Sequence, residues 1–142
     1  MTLENVPALI AALAASLALG VHGVIGHLWM SAQKQQAEIE PSELSRRLFG
    51  ERDITWRAVG VAWHGLSALF LGSAVVLFGT AFGMLDNAEL CRFVAILLTA
   101  VLLLGLLYFE KTLTAILHPV PLLFGFVMTV ATAFAWVASY SL

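Results

Sequence analysis

The sequence predicts an all-α protein, an integral membrane four-helix bundle running up-down-up-down. Three observations lead there. Of 142 residues, 61% are hydrophobic and 11% charged, whereas soluble domains hold roughly 45–50% and 25%. The mean hydropathy of +0.93 means more apolar surface than a soluble chain of this length can bury. The charges are also clustered: no Asp, Glu, Lys or Arg occurs from Asn5 to Gln33, Ala58 to Leu85, Phe93 to Phe109, or Thr112 to Leu142. Each run approaches or exceeds the ~20 residues that cross a bilayer core. A disordered chain, a disulfide framework (one cysteine, Cys91) and a nucleic-acid binder (net charge -2) are excluded by the same composition.

The predicted spans are about 6–31, 57–84, 91–110 and 119–140, forming one transmembrane domain over 1–142. The first follows Met1-Thr-Leu-Glu-Asn5, which has no Lys or Arg. Its apolar run is longer than the h-region of a signal peptide, so it reads as a retained helix. Ala8, Ala12, Ser16 and Gly20 recur in it every four residues. Span two carries Ala58, Gly65, Gly72 and Gly79 every seven, the period of a left-handed seam. Small residues let helices approach closely in lipid, so spans one and two read as a close pair.

Span three is ringed by Leu97, Leu98, Leu102, Leu103, Leu104, Leu106 and Leu107 and should face lipid in part. Span four opens at His118-Pro119-Val120-Pro121, where proline is tolerated because first-turn amides lack intrahelical partners. Between spans one and two, Ser42 caps a short amphipathic surface helix over 42–50, with Leu44, Leu48 and Phe49 on one side and Gly50 ending it. Its mixed charges serve either headgroup contact or partner docking.

Six of the seven Lys and Arg fall in loops one and three: Lys34, Arg46, Arg47, Arg52, Arg57 and Lys111, against Arg92 alone on the other side. The positive-inside rule then puts loops one and three in the cytoplasm and both termini in the periplasm, in a bacterial inner membrane. Trp29, Trp56, Trp63 and Tyr108 form one aromatic belt, Trp136 and Tyr140 the other. Cys91 reads as a small apolar residue near the outer surface with no partner.

The informative polar residues are His22, His27, His64 and His118, all in the cytoplasmic half. His22 and His64 reach similar depth in an antiparallel pair, inside the hydrocarbon, where an ionisable group is a functional hypothesis. Each has small neighbours one turn away, Ala18 and Gly26 or Gly60 and Ala68. Such gaps admit a flat macrocycle, and a neutral imidazole ligates its metal. The cofactor reading is therefore haem b or another tetrapyrrole, such as (bacterio)chlorophyll, on His22 and His64 together or on one of them. The alternative is a buried neutral histidine hydrogen-bonded to Ser67, to a carbonyl or across the helix pair.

Five residues of α-helix turn His27 about 140° from His22, which assigns it to the interface. There it joins Glu110, Lys111 and His118 as a candidate polar cluster. A zinc site is not predicted, since no H-x-x-x-H or H-E-x-x-H pair occurs. No nucleotide loop, nucleophile elbow or mid-span acid is present either.

The segments Val21-His-Gly-Val-Ile-Gly26 and Arg57-Ala-Val-Gly-Val-Ala-Trp-His-Gly-Leu-Ser67 resemble those of a group of small bacterial four-helix membrane proteins. In that group helix 1 carries H-x-x-x-G and helix 2 an arginine followed by Trp-His. The resemblance covers less than half the chain. It implies four spans and pairs His22 with Trp63-His64, and it implies no particular activity. In the group an acid usually follows the glycine, whereas here His27 does. Ala18-x-x-x-His22 and Gly60-x-x-x-His64 are also similar to the small-x-x-x-His spacing of light-harvesting antenna helices, which hold bacteriochlorophyll.

With so little polar material, the sequence predicts a non-catalytic component rather than a free-standing enzyme. The leading expectation is an accessory, scaffolding or assembly subunit, with the bilayer and a membrane protein, or a second copy, as partners. An electron-transfer or pigment protein using His22 and His64 is the alternative, and small-molecule or metal transport comes third.

Overall fold

The structure, a computed structural model, describes residues 3, 5–28, 31–32, 35, 52–109 and 119–142, the side chains of 52–59, 108–109 and 119–121 excepted. Its helices are α1 (Val6–Gly20), continued by a π-helical turn (Val21–Ile25), α2 (Arg52–Ala81), α3 (Ala88–Phe109) and α4 (Pro119–Tyr140). Four stretches are long and apolar enough to cross a membrane: Val6–Leu28, Gly60–Ala81, Ala88–Leu107 and Leu122–Tyr140, of 23, 22, 20 and 19 residues. At 1.5 Å per residue these reach about 28–35 Å, the thickness of a hydrocarbon core. The chain is an integral membrane protein with four spans. The predicted surface helix over 42–50 lies outside the described residues.

The chain forms two compact units, one of Met1–Ala18 with Phe70–Leu142 and one of Leu19–Leu69. The first contains parts of all four helices. Asn5 gathers three helix ends. Its side-chain oxygen accepts from the Ala8 amide at 2.9 Å, capping α1, while its amide group donates to Ser141 Oγ at 2.9 Å beyond α4. Its backbone N–H donates to the Ala81 carbonyl at the end of α2, at 3.3 Å. The start of α1 and the ends of α2 and α4 thus share one end of this unit. A tight turn from α2 brings the start of α3 to the same end, so the helices alternate in direction as predicted.

That turn explains why α2 stops at Ala81 rather than near residue 84. Gly83 has φ 65°, a left-handed conformation that suits glycine. Its N–H donates to Thr80 O at 3.2 Å and the Met84 N–H to Gly79 O at 2.8 Å, the bonding pattern of a Schellman cap. Asn87 then caps α3, accepting from the Leu90 amide at 3.0 Å. Across the turn Thr80 Oγ1 and Cys91 Sγ lie 3.2 Å apart, both buried. The expectation of an unpartnered cysteine is corrected accordingly: the first turn of α3 folds back beside the last turn of α2, which puts the thiol against a hydroxyl.

The core of this unit mixes small and large side chains. Ala8, Ala81 and Ala138 form a fully buried cluster with Leu9 and Phe82 packed on it. Phe70, Leu77, Leu98 and Met128 are the bulkiest fully buried apolar residues. Phe70 meets Phe124 edge-on at 5.9 Å, and Trp136 Nε1 donates to Thr99 Oγ1 at 3.1 Å between α3 and α4. On α3, Leu103, Leu104, Leu106 and Leu107 are exposed, the lipid-facing leucine surface anticipated from the sequence.

Both small-residue stripes need correction. In α1 the buried residues include Ala8, Ala11, Ala12, Ala15 and Ala18, whereas Ser16 is half-buried and Gly20 exposed. A four-residue repeat drifts about 40° per step on a helix of 3.6 residues per turn, so it leaves the packed face by Gly20. In α2 Gly79 is buried beneath Leu85, but Gly65 and Gly72 are exposed. Among the described residues, nothing lies within 4 Å of a Cβ built on either. The seven-residue spacing does mark one face of α2. That face is exposed at Gly65 and Gly72 and buried at Gly79.

Candidate functional site

The unit of Leu19–Leu69 holds three of the four histidines, arranged by a departure from α-helical geometry. The Gly26 N–H donates to the Val21 carbonyl, five residues back. In an α-helix it would have bonded the His22 carbonyl. That carbonyl instead accepts from the indole Nε1 of Trp63 on α2 at 3.2 Å, and such repair of a freed backbone group is what makes a π turn tolerable inside a membrane span.

Trp63 meets His22 twice over. Besides that hydrogen bond, its ring stacks on the imidazole with centroids 4.0 Å apart and planes 13° apart. The indole also covers Gly26, where an added Cβ would overlap Trp63 Cζ2 and lie 3.0 Å from Cη2. The gap beside Gly26 that the sequence reserved for a macrocycle is therefore filled by Trp63. Trp63, placed in an aromatic belt by its position near the loop-one side, thus also stacks on His22. The Trp-His pair of the resemblance marked the residue, but no spacing rule indicated that it would stack inward.

His22 is buried and its Nδ1 lies 3.1 Å from Ser67 Oγ, the partner foreseen for a buried neutral histidine. The Ser67 hydroxyl donates to the Trp63 carbonyl one turn back at 3.4 Å. Which of Nδ1 and Oγ donates in the His22–Ser67 bond follows the His22 tautomer. An imidazole fixed through Nδ1 and braced on one face is held as metal-ligating histidines are held.

His27 does not turn away from α2. A π turn brings residue i+5 back over residue i, so the five residues from His22 to His27 cover little more than one turn rather than the α-helical 140°. His27 stands 5.8 Å from His64, ring centre to ring centre, with the planes tilted by 36°. The two histidines at which the tetrapyrrole was expected thus have different ring neighbours: His22 has Trp63, and His64 has His27.

Around His64, Ala68 is exposed and nothing among the described residues lies within 4 Å of a Cβ built on Gly60. Ala18, one turn before His22, is fully buried. Glu110, Lys111 and His118, the other members of the expected polar cluster, lie outside the described residues. Along the first span His27 follows His22 by five residues, and on α2 Ser67 follows His64 by three. The pairs His27–His64 and His22–Ser67 are two separate contacts along the helix pair.

Comparison with family models, with curated proteins and with solved structures finds no match to this chain.

Proposed function

We propose that the chain is a non-catalytic integral membrane subunit that packs, within the bilayer, against a larger membrane protein complex. One observation carries this reading. On α2 the residues Val61, Gly65, Ala68, Gly72 and Val75, spaced as one face of a helix, are all exposed. The exposed face of α3 is leucine, which suits acyl chains. The outward face of α2 is glycine and alanine flanked by valine, which suits the close approach of another helix backbone. The positive-inside bias gives the orientation of this subunit: loops one and three cytoplasmic, termini periplasmic, in a bacterial inner membrane.

The test is a mild-detergent native gel of membranes at native expression, with mass spectrometry of the co-migrating bands. Co-migration with a larger complex supports the reading, and a free monomer or homo-oligomer alone contradicts it. A cysteine introduced at Ser45 reports the orientation. It should resist a membrane-impermeant reagent applied from the periplasmic side, and labelling from that side reverses the topology.

A second reading is favoured by the bracing of His22 and the room beside His64. A tetrapyrrole such as haem b, held by His22 or His64, would make this an electron-transfer or pigment protein. The bound group would supply the redox or optical chemistry, and the chain would supply an oriented imidazole and an apolar surround. Oxidised and dithionite-reduced spectra of protein from tetrapyrrole-supplied cells test it. A Soret band lost in His22→Ala or His64→Ala supports it, and a colourless folded protein refutes it.

A further inference from the structure

We infer that His27 and His64 form a two-histidine site for a single copper(I) ion. A ring nitrogen sits about 2.0 Å from a bound ion, and the ring centre about 1.2 Å behind that nitrogen, so each centroid lies about 3.2 Å from the ion. Two imidazoles on one ion are then about 5.2 Å apart at a tetrahedral angle and about 6.4 Å apart in line. His27 and His64 stand at 5.8 Å, between these limits.

The backbone brings His27 there by a departure from α-helical geometry. An uninterrupted α-helix would carry it to another face. The π turn at Val21–Ile25 returns it to α2, and such turns inside helices concentrate at functional sites. A plain packing contact needs no second histidine, since an apolar ring would serve with no polar nitrogen to satisfy.

Zinc prefers four ligands, whereas the observed pair offers two imidazoles at ligand spacing. Copper(I) is a closed-shell monovalent ion that accepts two donors, and imidazole suits copper. Its single charge also costs least to hold near hydrocarbon between two neutral ligands. Gly60, one turn before His64 on α2, has nothing among the described residues within 4 Å of a Cβ built on it and leaves an approach for the ion.

This site is independent of the subunit reading, which can fail without affecting it. The test is a titration of the full chain in nanodiscs with copper(I), anaerobically and under reducing conditions, against a colorimetric copper(I) chelator. One copper per chain is expected, with two nitrogen donors by X-ray absorption. His27→Ala and His64→Ala should each weaken binding by at least about a hundredfold, beyond the usual effect of losing an outer-shell partner. The double variant should be no worse than either single one. Where an alanine variant loses its helical circular dichroism, His27→Gln or His64→Gln takes its place. Four outcomes overturn the inference: no one-to-one copper(I) binding, either single variant binding like the parent, zinc binding more tightly than copper(I) to the same two residues, or a haem Soret band that vanishes with His64→Ala.

Discussion

Trp63 lies parallel to His22, with ring centroids 4.0 Å and planes 13° apart, and its indole N–H donates to the His22 carbonyl at 3.2 Å. One side chain thus braces an imidazole and satisfies the backbone group that the π turn releases. Removing these two roles separately should give graded losses. Trp63→Phe keeps a ring for stacking and loses a hydrogen bond worth about 0.6 kcal/mol between membrane helices. Trp63→Ala also forfeits the stack, about 0.5–1.5 kcal/mol, together with the packing of a large ring. Equilibrium unfolding in mixed micelles should rank parent, Trp63→Phe and Trp63→Ala in decreasing stability.

Gly26 and Gly20 should respond to alanine with opposite signs. At Gly26 a Cβ meets the Trp63 indole, so Gly26→Ala must displace a rigid ring and is expected to destabilise by about 1–3 kcal/mol, as overpacking does. At Gly20 nothing among the described residues lies within 4 Å of the new atom, and higher helix propensity should stabilise by about 0.5–1 kcal/mol. The same unfolding assay reads both. Equal effects at the two positions would place Trp63 elsewhere.

Asn5 caps α1 and reaches both Ala81 and Ser141. Asn5→Ala removes the cap, worth about 1 kcal/mol, and the bond to Ser141, worth about 0.6 kcal/mol. Asn5→Asp retains the cap acceptor and loses the donor to Ser141. Its loss should be the smaller of the two, provided unfolding is measured at a pH where the carboxyl is ionised.

Cys91 is fully buried with Thr80 Oγ1 at 3.2 Å. Maleimide should label it only at the rate of unfolding, and Thr80→Val should leave it buried while removing its polar neighbour. Fast labelling of the folded parent would contradict the placement of the first turn of α3.

Much of this architecture is legible in the sequence, for reasons that also explain what is not. The charge-free runs locate the spans because lipid tolerates so few charges, and all four have helices in the structure. Helical spacing puts Ser67 on the face of His64, whereas its hydroxyl meets His22 across the helix pair. The place of His27 was not legible. A count at 100° per residue assumes an unbroken α-helix, and nothing in Val21-His-Gly-Val-Ile25 announces the extra residue of a π turn. The glycines of α2 show the opposite difficulty. Their spacing marks a face suited to close packing without naming the helix that packs there, so Gly65 and Gly72 were assigned to span one when they are exposed.

The outward face of α2 is where the account is most directly tested. A photo-cross-linking amino acid placed at Ala68, in membranes at native expression, should give a discrete adduct with a larger membrane protein, while the same probe at the leucine face, at Leu104, should give none. Ala68 behaving like Leu104, with no protein adduct from either, or an adduct only with a second copy of this chain, would contradict the assignment of this protein as a subunit of a larger complex.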